Sequence, residues 1–598
     1  MTLNLSKVSD VYFDKLFVGA RAGTILESDG KVLMVDKYTT PVISMCYTQT
    51  QLLSNEVILV EMIESQGTLK YMKNLTCIVY IKPIEESITW LIKELHSPHY
   101  GSYQLYFNNT ISKNQLERIA EADEYEVINN VTELFQDYLV INDNLFISNF
   151  NSQLTILEES NEIISLLLAF KQCPIIKFES NSIETRKLAS EILYNINLNS
   201  NNNLFEDLNK YSDRPPILLL LDRNNDPITP LITPWTYQSM IHEFIGINKN
   251  TIQLPNSPEQ YVISESQDKF FKDSMYLNYG DLTENFQKNV EEYKSLTKLT
   301  SFDNLKTQNL SELKQQLTKF PEYKKLSSNI LKHLGIIGEI DNQISVQHLW
   351  EIGELQQTII CAMDNYQNLK QRLFAILDNI QVSTIHKIKL ILLFQFRFHE
   401  HNDLTSLTKK LNDPATTNPL PTVSQIALLK NFSSMFDTKF RSSNNQQASK
   451  NIANLFNKKI NITNLFNNQR DEHNDNIYMQ YIPYLNNVLE NLIHPQESKK
   501  SGLTTLVPDS LIKQYGSNIT HDIQNVIIYF KGGVTYEESR LVHELNKANK
   551  SLNLIIGGTK IHNSQTWLEA MYDMINGISQ NNTSSTTRDR KSELRDLL

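Results

Sequence analysis

Glycine is scarce in this chain, at 17 of 598 residues, well below the roughly 7% of average usage. So few glycines leave little room for a backbone loop that cradles phosphate, which counts against a nucleotide enzyme. No G-x-x-x-x-G-K-S/T, G-x-S-x-G or H-E-x-x-H occurs, and Gly19-Ala20-Arg21-Ala22-Gly23 does not fit G-x-G-x-x-G, so the common marks of phosphate loops, activated serines and zinc proteases are missing. The four cysteines, Cys46, Cys77, Cys173 and Cys361, form no C-x-x-C pair; they read as reduced, mostly buried thiols of a cytosolic protein rather than zinc or redox ligands. Positive charge is also short, with 56 Lys and Arg against 67 Asp and Glu for a net −11, so no global field exists to hold nucleic acid. No run approaches 18 apolar residues, and Met1 to Asp10 has neither the basic nor the apolar region of a signal peptide. The expectation is a chain neither secreted nor membrane-spanning.

What is present is an ordinary folding composition, 40% hydrophobic and 21% charged, in a chain long enough for about four domains or fewer. Apolar runs at Val32 to Val35, Val57 to Val60, Cys77 to Ile81, Tyr103 to Phe107 and Tyr138 to Ile141 predict five strands. Helical spacing lies between them, clearest in Ile88, Leu91, Ile92 and Leu95 after Pro83, which predicts a doubly wound parallel α/β domain. A second α/β region follows: helix Glu158 to Phe170, strand Ile175 to Phe178, helix Ile183 to Ile196, an Asn-rich loop at Asn199 to Asn203, and strand Ile217 to Leu221. After about residue 230 the strand signal stops for some 250 residues and helical periodicity such as Leu326, Ile330, Leu334 and Ile337 takes over. Strand-like runs return at Val526 to Phe530 and Leu552 to Ile556. The predicted organisation is residues 1–135, a discontinuous α/β domain of 136–222 plus 480–598, and a mainly helical insertion of 223–479. Arg441 to Lys450 reads as a flexible loop and Gly577 to Leu598 as a polar tail.

Strand Ile217 to Leu221 runs into Asp222-Arg223-Asn224-Asn225-Asp226-Pro227-Ile228-Thr229-Pro230. A calcium loop would need Gly sixth and Glu twelfth, where Pro227 and Thr233 stand. A phosphoaspartyl nucleophile would need an acid where Asn224 stands. The structural alternative is a rigid polar corner in which Asp222 and Asp226 accept backbone N–H bonds and the prolines fix φ. Downstream, Thr233 can cap a helix with Pro234 at its first position, Trp235 at its start and Gly246 at its end. Neither His242-Glu243 nor His399-Glu400-His401 has zinc spacing on a helix. Gly532-Gly533 precedes Thr535 and Glu538, a capping box that occupies the amides an anion would need. Ser112 and Gln115 form another capping box, for a helix presenting Leu116, Ile119 and Ala120, and the spacing of Val131, Leu134, Phe135 and Tyr138 predicts a second helix beside it. Two such helices create a groove for a third helix or a short peptide, with ordinary core packing as the alternative.

Leu221-Asp222-Arg223, Asp226 to Pro230, Pro234-Trp235-Thr236-Tyr237-Gln238 and Gly532 to Glu538 resemble the SM family, the Sec and Munc-eighteen type regulators of SNARE-mediated membrane fusion, and the resemblance spans nearly the whole chain. Val35-Asp36-Lys37 with Thr39-Thr40-Pro41, and Ser112 to Arg118, look closest to its vacuolar protein sorting forty-five branch. The resemblance implies a three-domain arch with two doubly wound parallel-sheet domains, a large helical insertion, no enzymatic activity and no cofactor or metal. It implies that Leu116, Ile119, Val131 and Glu133 line a pocket for the N-terminal peptide of a syntaxin-type SNARE. It also implies that a helical hairpin at about 297–345, with Pro321 near its tip, holds SNARE helices. Asp222, Arg223, Asp226, Thr229 and Trp235 become a structural motif corner. The implied partners are a syntaxin-type SNARE of the trans-Golgi network or endosome and the assembled SNARE complex. Nucleic acid and small-molecule substrates are not expected, the chain acts as a monomer, and it reaches Golgi, endosomal and vacuolar membranes from the cytoplasm through SNAREs. Pro41 stands where the neuronal branch has a basic residue, a departure at the contact that clasps closed syntaxin. The competing reading is a metal-dependent α/β enzyme acting on a sugar or nucleotide, with Asp222 and Asp226 as ligands.

Overall fold

In the computed structural model the described residues are 3–18, 30–68, 70–149, 155–200, 205, 214–255, 257–299, 310–361, 363–441, 476–493, 502–515 and 523–576. The chain forms two units, one of Met1–Arg223, Asn491–Val534 and Leu541–Ile561, the other of Asn224–Glu490, Thr535–Arg540 and His562–Leu598.

The first unit holds two sheets. Strands β1 (Lys31–Val35), β2 (Val57–Met62), β3 (Met72–Ile81), β4 (Tyr100–Phe107) and β5 (Ile128–Glu133) pair in the order β2-β1-β3-β4-β5, all parallel. Parallel neighbours require crossovers, and helices Glu85–His96 and Lys113–Ala122 supply two of them. Ile88, Leu91, Leu95, Ile119 and Ala122 are buried with Val32, Met34, Cys77, Val79, Leu105 and Phe107 in one core. The second sheet contains β6 (Tyr138–Val140), β7 (Leu145–Ser148), β8 (Ile175–Glu179), β9 (Ile217–Asp222), β12 (Leu503–Leu506), β13 (Asn525–Lys531) and β14 (Asn553–Gly558), in the order β12-β8-β9-β13-β14-β7-β6. Its edge pairs β12·β8 and β6·β7 are antiparallel and every inner pair is parallel. Every residue of β9 is buried, which its unbroken apolar run anticipates.

Tyr138 to Ile141 is therefore not the fifth strand of the first sheet. That place belongs to β5, and β6 begins too soon after it for a parallel crossover, so the chain turns into the second sheet. β7 and β12 went unread in the sequence, and Asn199 belongs to helix Ile183–Ser200 instead of a loop. The remainder of the Asn-rich stretch, residues 442–450 and residues 577–598 lie outside the described residues.

The second unit is mainly helical, interrupted by a short antiparallel pair, β10 (Thr251–Gln253) and β11 (Gln260–Val262). Its core is aliphatic and aromatic, with Ile336, Ile340, Leu355, Leu373, Leu390 and Phe432 among its members. A buried ion pair lies in it as well: Lys389 Nζ is 3.0 Å from Glu243 Oε1 and 3.0 Å from Ser564 Oγ.

In the first unit, buried carboxylates join separate elements. Asp36, just past β1, is fully buried and accepts from the amides of Tyr38 (3.0 Å), Thr39 (2.7 Å) and Lys82 (2.9 Å) and from Ser87 Oγ (2.6 Å). It ties the ends of β1 and β3 to helix Glu85–His96. Asp137 receives Lys82 Nζ and the side-chain Nδ2 groups of Asn108 and Asn109. Nearby Glu162 is pushed up to about 8, by burial first and by the Asp137 charge second, against the hydrogen bond from Ser148 and the charge of Lys82.

Asp36→Ala strands several buried donors and is expected to cost about 3 kcal/mol, read as a lowered melting temperature. Lys113→Ala, at a pair whose lysine is 90% exposed, should shift it hardly at all. Because the folded Glu162 titrates above its solution value, its stabilising contribution is present below about pH 4.5 and lost as pH rises toward 8. Glu162→Gln should therefore melt above the wild type near pH 8 and close to it near pH 5, whereas parallel melting profiles would refute the assignment.

Candidate functional site

The groove expected from the sequence falls on a helix and a strand edge of the first unit. Helix Lys113–Ala122 starts at Ser112, whose Oγ accepts from Gln115 N at 3.3 Å while Gln115 Oε1 accepts from Ser112 N at 3.1 Å. Gln115 Nε2 donates to Pro83 O (3.1 Å), and Arg118 pairs with Glu85 at 2.8 Å, so the helix is fastened to the preceding crossover. Ile119 is buried below it, and Leu116, one turn earlier, is half-buried. Opposite stands β5, which among the described residues pairs with β4 and has no strand on its other edge. The register sets Val131 against Leu105 and Glu133 against Phe107, and Leu105 and Phe107 share the core that Ile119 covers. Strand alternation thus turns Val131 and Glu133 toward the face occupied by the helix. Val131 is 44% exposed, whereas Glu133 Oε1 accepts from Ile111 N at 2.8 Å.

The structure sets Leu116 and Ile119 on this helix and Val131 and Glu133 on the neighbouring strand, but overturns the second helix read from Val131, Leu134, Phe135 and Tyr138. Residues 128–133 are strand β5, the Leu134 amide extends its ladder by bonding Phe107 O at 2.7 Å, and Tyr138 opens β6. A strand and a tight bend reproduced helical spacing by coincidence, and an open partner edge on β4 decided the matter in favour of a strand.

The stretch of about 297–345 read as a hairpin falls on the end of helix Tyr279–Leu299 and on the long helix Leu310–Val346, with 300–309 outside the described residues. Tyr279 Oη donates to Asp341 Oδ1 at 2.9 Å, joining the two helices. Pro321 lies inside the long helix and not at its first position, so one backbone hydrogen bond is missing from its interior.

The motif corner is held by its own polar contacts. Asp226 accepts from the amides of Ile228 (3.2 Å) and Thr229 (3.0 Å) and from Thr229 Oγ1 (2.5 Å). Asp222 accepts from Ser182 Oγ at 2.7 Å. Arg223 is fully buried with its guanidinium 4.4 Å from the Phe530 ring centre. Gly532 has φ +93°, and a Cβ there would sit 3.1 Å from Arg223 Cβ, so a side chain is disfavoured on both counts. Trp235 stacks on Trp350 at 4.5 Å and lies 4.6 Å from Tyr478, and a Cβ on Gly353 would come within 2.7 Å of its ring. Trp350, Gly353 and Tyr478 went unnoticed in the sequence because more than a hundred residues separate each from Trp235 and no local pattern connects them. The adjoining cavity, lined by Trp235, Gln357, Tyr478 and Glu537, holds about 30 Å³, room for a water or two and not for a metabolite.

Thr233 does not cap the following helix. That helix runs Tyr237–Phe244, and the amides of Tyr237 and Gln238 bond the carbonyls of Leu277 and Met275 in place of a side-chain cap. Its end is as expected, with Gly246 at φ +91° and its amide on Ile241 O. Thr535 and Glu538 form their box with bonds of 2.8, 3.0 and 3.3 Å. His399-Glu400-His401 follows the end of helix Thr384–Arg397 and is not helical; His401 stacks on Tyr366 at 4.0 Å. All four cysteines are free. Among the described residues no three His, Cys, Asp or Glu side chains gather as metal ligands, and no helix is long and apolar enough to cross a membrane.

Comparison with known proteins covers the whole architecture. The Saccharomyces cerevisiae vacuolar protein sorting-associated protein 45 is 34% identical over 603 aligned residues, which span 95% of this chain and 99% of that protein. The human protein of the same name is 31% identical over 90% of this chain and 92% of its own length. Among solved structures, the SM protein Vps45 in complex with the Qa SNARE Tlg2 superposes with a TM-score of 0.81 at 30% identity, covering 96% of this chain and 99% of that one. The Unc18 of the Monosiga brevicollis Unc18–syntaxin 1 complex, at 17% identity and a TM-score of 0.72 over 95% of this chain and 99% of that one, shares the fold. The Sec1 family pattern matches residues 31–570. Because that match takes in the groove, the long helix and the motif corner alike, this chain belongs to the Sec1 family.

Proposed function

We propose that this chain is a SNARE-binding regulator of vesicle docking and membrane fusion, without a catalytic step, acting in transport between Golgi, endosome and vacuole. The observation that carries the reading is the end-to-end likeness, in sequence and fold, to a protein solved with a Qa SNARE bound. The chemistry agrees with it: Asp222 and Asp226 are each engaged in hydrogen bonds, which removes the basis for the metal-dependent alternative.

The groove of Leu116, Ile119, Val131 and Glu133 is the proposed seat of a syntaxin N-terminal peptide. A half-buried leucine and an exposed valine offer apolar contact, and the open edge of β5 offers backbone donors and acceptors. Helices Tyr279–Leu299 and Leu310–Val346 are the proposed hairpin for SNARE helices, and residues 1–135, 136–222 with 480–598, and 223–479 the proposed functional domains. Two tethered binding surfaces raise the local concentration of SNARE segments and lower the entropic cost of their zippering. Membrane association runs through the SNAREs, and the chain acts as a monomer.

Calorimetric titration with an N-terminal peptide of an endosomal syntaxin tests the groove. The wild type should bind with a saturable isotherm and Leu116→Arg should lose binding while keeping its fold, because an unpaired charge enters an apolar site; binding unaffected by the substitution would place the peptide elsewhere. Pro321→Ala restores a donor inside the long helix and raises local helix propensity by about 3 kcal/mol. It should strengthen binding of SNARE helices and leave peptide binding unchanged.

A further inference from the structure

The long helix Leu310–Val346 enters the core of the second unit through polar side chains. Among its described side chains the first buried ones are Lys332 and His333, and only then come Ile336, Ile340 and Ile344. Lys332 and His333 converge on one carboxylate. Asp268 caps helix Lys269–Ser274 by accepting from Phe271 N at 3.1 Å through Oδ1, and its Oδ2 receives Lys332 Nζ at 2.5 Å and His333 Nε2 at 2.8 Å. The far nitrogen of His333 accepts from Tyr237 Oη at 2.7 Å, and Lys332 Nζ also donates to Val262 O at 3.2 Å. The ring of Phe270 closes over His333 at 4.7 Å. Four separate elements therefore meet the helix at one level: β11, helix Tyr237–Phe244, the Asp268 cap and the helix it starts. Burial, with the Lys332 charge, holds His333 below its usual value despite Asp268, so the imidazole is neutral and serves one donor and one acceptor.

We propose that Asp268, Lys332 and His333 are positioning residues for the hairpin, a fulcrum that fixes the register and direction of the part of the long helix that precedes them. Apolar seams tolerate a shift of packing, whereas a buried carboxylate shared by two donors is satisfied in a single register. A shift of one residue turns the helix by about 100° and strips both donors from Asp268. Residues 310–331, about 33 Å of helix at 1.5 Å per residue, lie beyond this point and include Pro321. Small changes in angle at the fulcrum are magnified along that length, where SNARE helices are to be held. The inference rests on the hairpin reading given above.

The test uses the full chain, with a syntaxin N-terminal peptide and a cytosolic SNARE helix as separate ligands, and hydrogen exchange across 310–346. Asp268→Asn keeps an oxygen for Phe271 N but loses the charge. It should weaken SNARE-helix binding at least tenfold, speed exchange over 310–331, and leave peptide binding unchanged. The double variant Asp268→Asn with Lys332→Met removes the stranded ammonium, so the melting temperature should recover while SNARE-helix binding stays weak. Should Asp268→Asn fail to fold, Lys332→Met alone leaves His333 on the carboxylate and is read in the same way. Binding that recovers together with stability would overturn the proposal, because the cluster would then be structural only. If the wild type binds the peptide but no SNARE helix, the hairpin reading fails; unchanged exchange over 310–331 in Asp268→Asn overturns the fulcrum separately.

Discussion

The pairing of β9 with β13 is the constraint on which the rest of this structure depends. Ile217–Asp222 lies parallel to Asn525–Lys531, with Val526 opposite Ile217 and Lys531 opposite Asp222, across about 300 residues of intervening sequence. Closing so long a segment carries a large entropic cost, though one that grows only logarithmically with length. The strands answer it with burial: all of β9 and the central five residues of β13 are buried. Parallel strands covered on both faces need this continuous apolar character. One polar substitution in the middle of either strand would therefore threaten the second sheet as a whole.

Around these apolar strands, specificity is carried by a few buried carboxylates. Asp36 gathers donors from its own turn, from the end of β3 and from the helix that follows. Asp137 does the same with Lys82, Asn108 and Asn109, and Asp268 with Lys332 and His333 in the second unit. Each sits where a chain segment changes direction, and each would be costly if a single partner were removed. Hydrophobic burial supplies most of the stability; the carboxylates choose among packings that burial alone would leave close in energy.

This division of labour suits a protein whose work is binding. The acids of the motif corner, which a search for catalysis would single out first, are engaged with Ser182 and with their own turn. What stays open, among the described residues, is a strand edge without a partner strand beside a half-buried leucine; what is held is a long helix, tied to Asp268 through Lys332 and His333. Both are features from which peptide and helix recognition are built. Speeding the assembly of other proteins requires orientation and proximity, and neither demands a reactive group.

Much of this was legible in the sequence where the signal is local. The apolar runs of β1, β9 and β13, the capping boxes at Ser112 and Thr535, and the stop at Gly246 all depend on residues within a few positions of one another. The readings that failed were those a distant partner decides. Residues 128–133 became a strand because β4 offered an open edge, Tyr138 joined the second sheet because no crossover fits after β5, and Thr233 lost its capping role because Leu277 and Met275 presented carbonyls to the next helix. By itself the sequence determined the type of most elements and, through its motifs, the family, since propensity, capping and apolar periodicity act over one or two turns. Only the tertiary structure decided which strand edge stays open beside Leu116 and which carboxylate receives Lys332 and His333, because those outcomes depend on partners tens of residues away that hydrogen-bond geometry alone brings together.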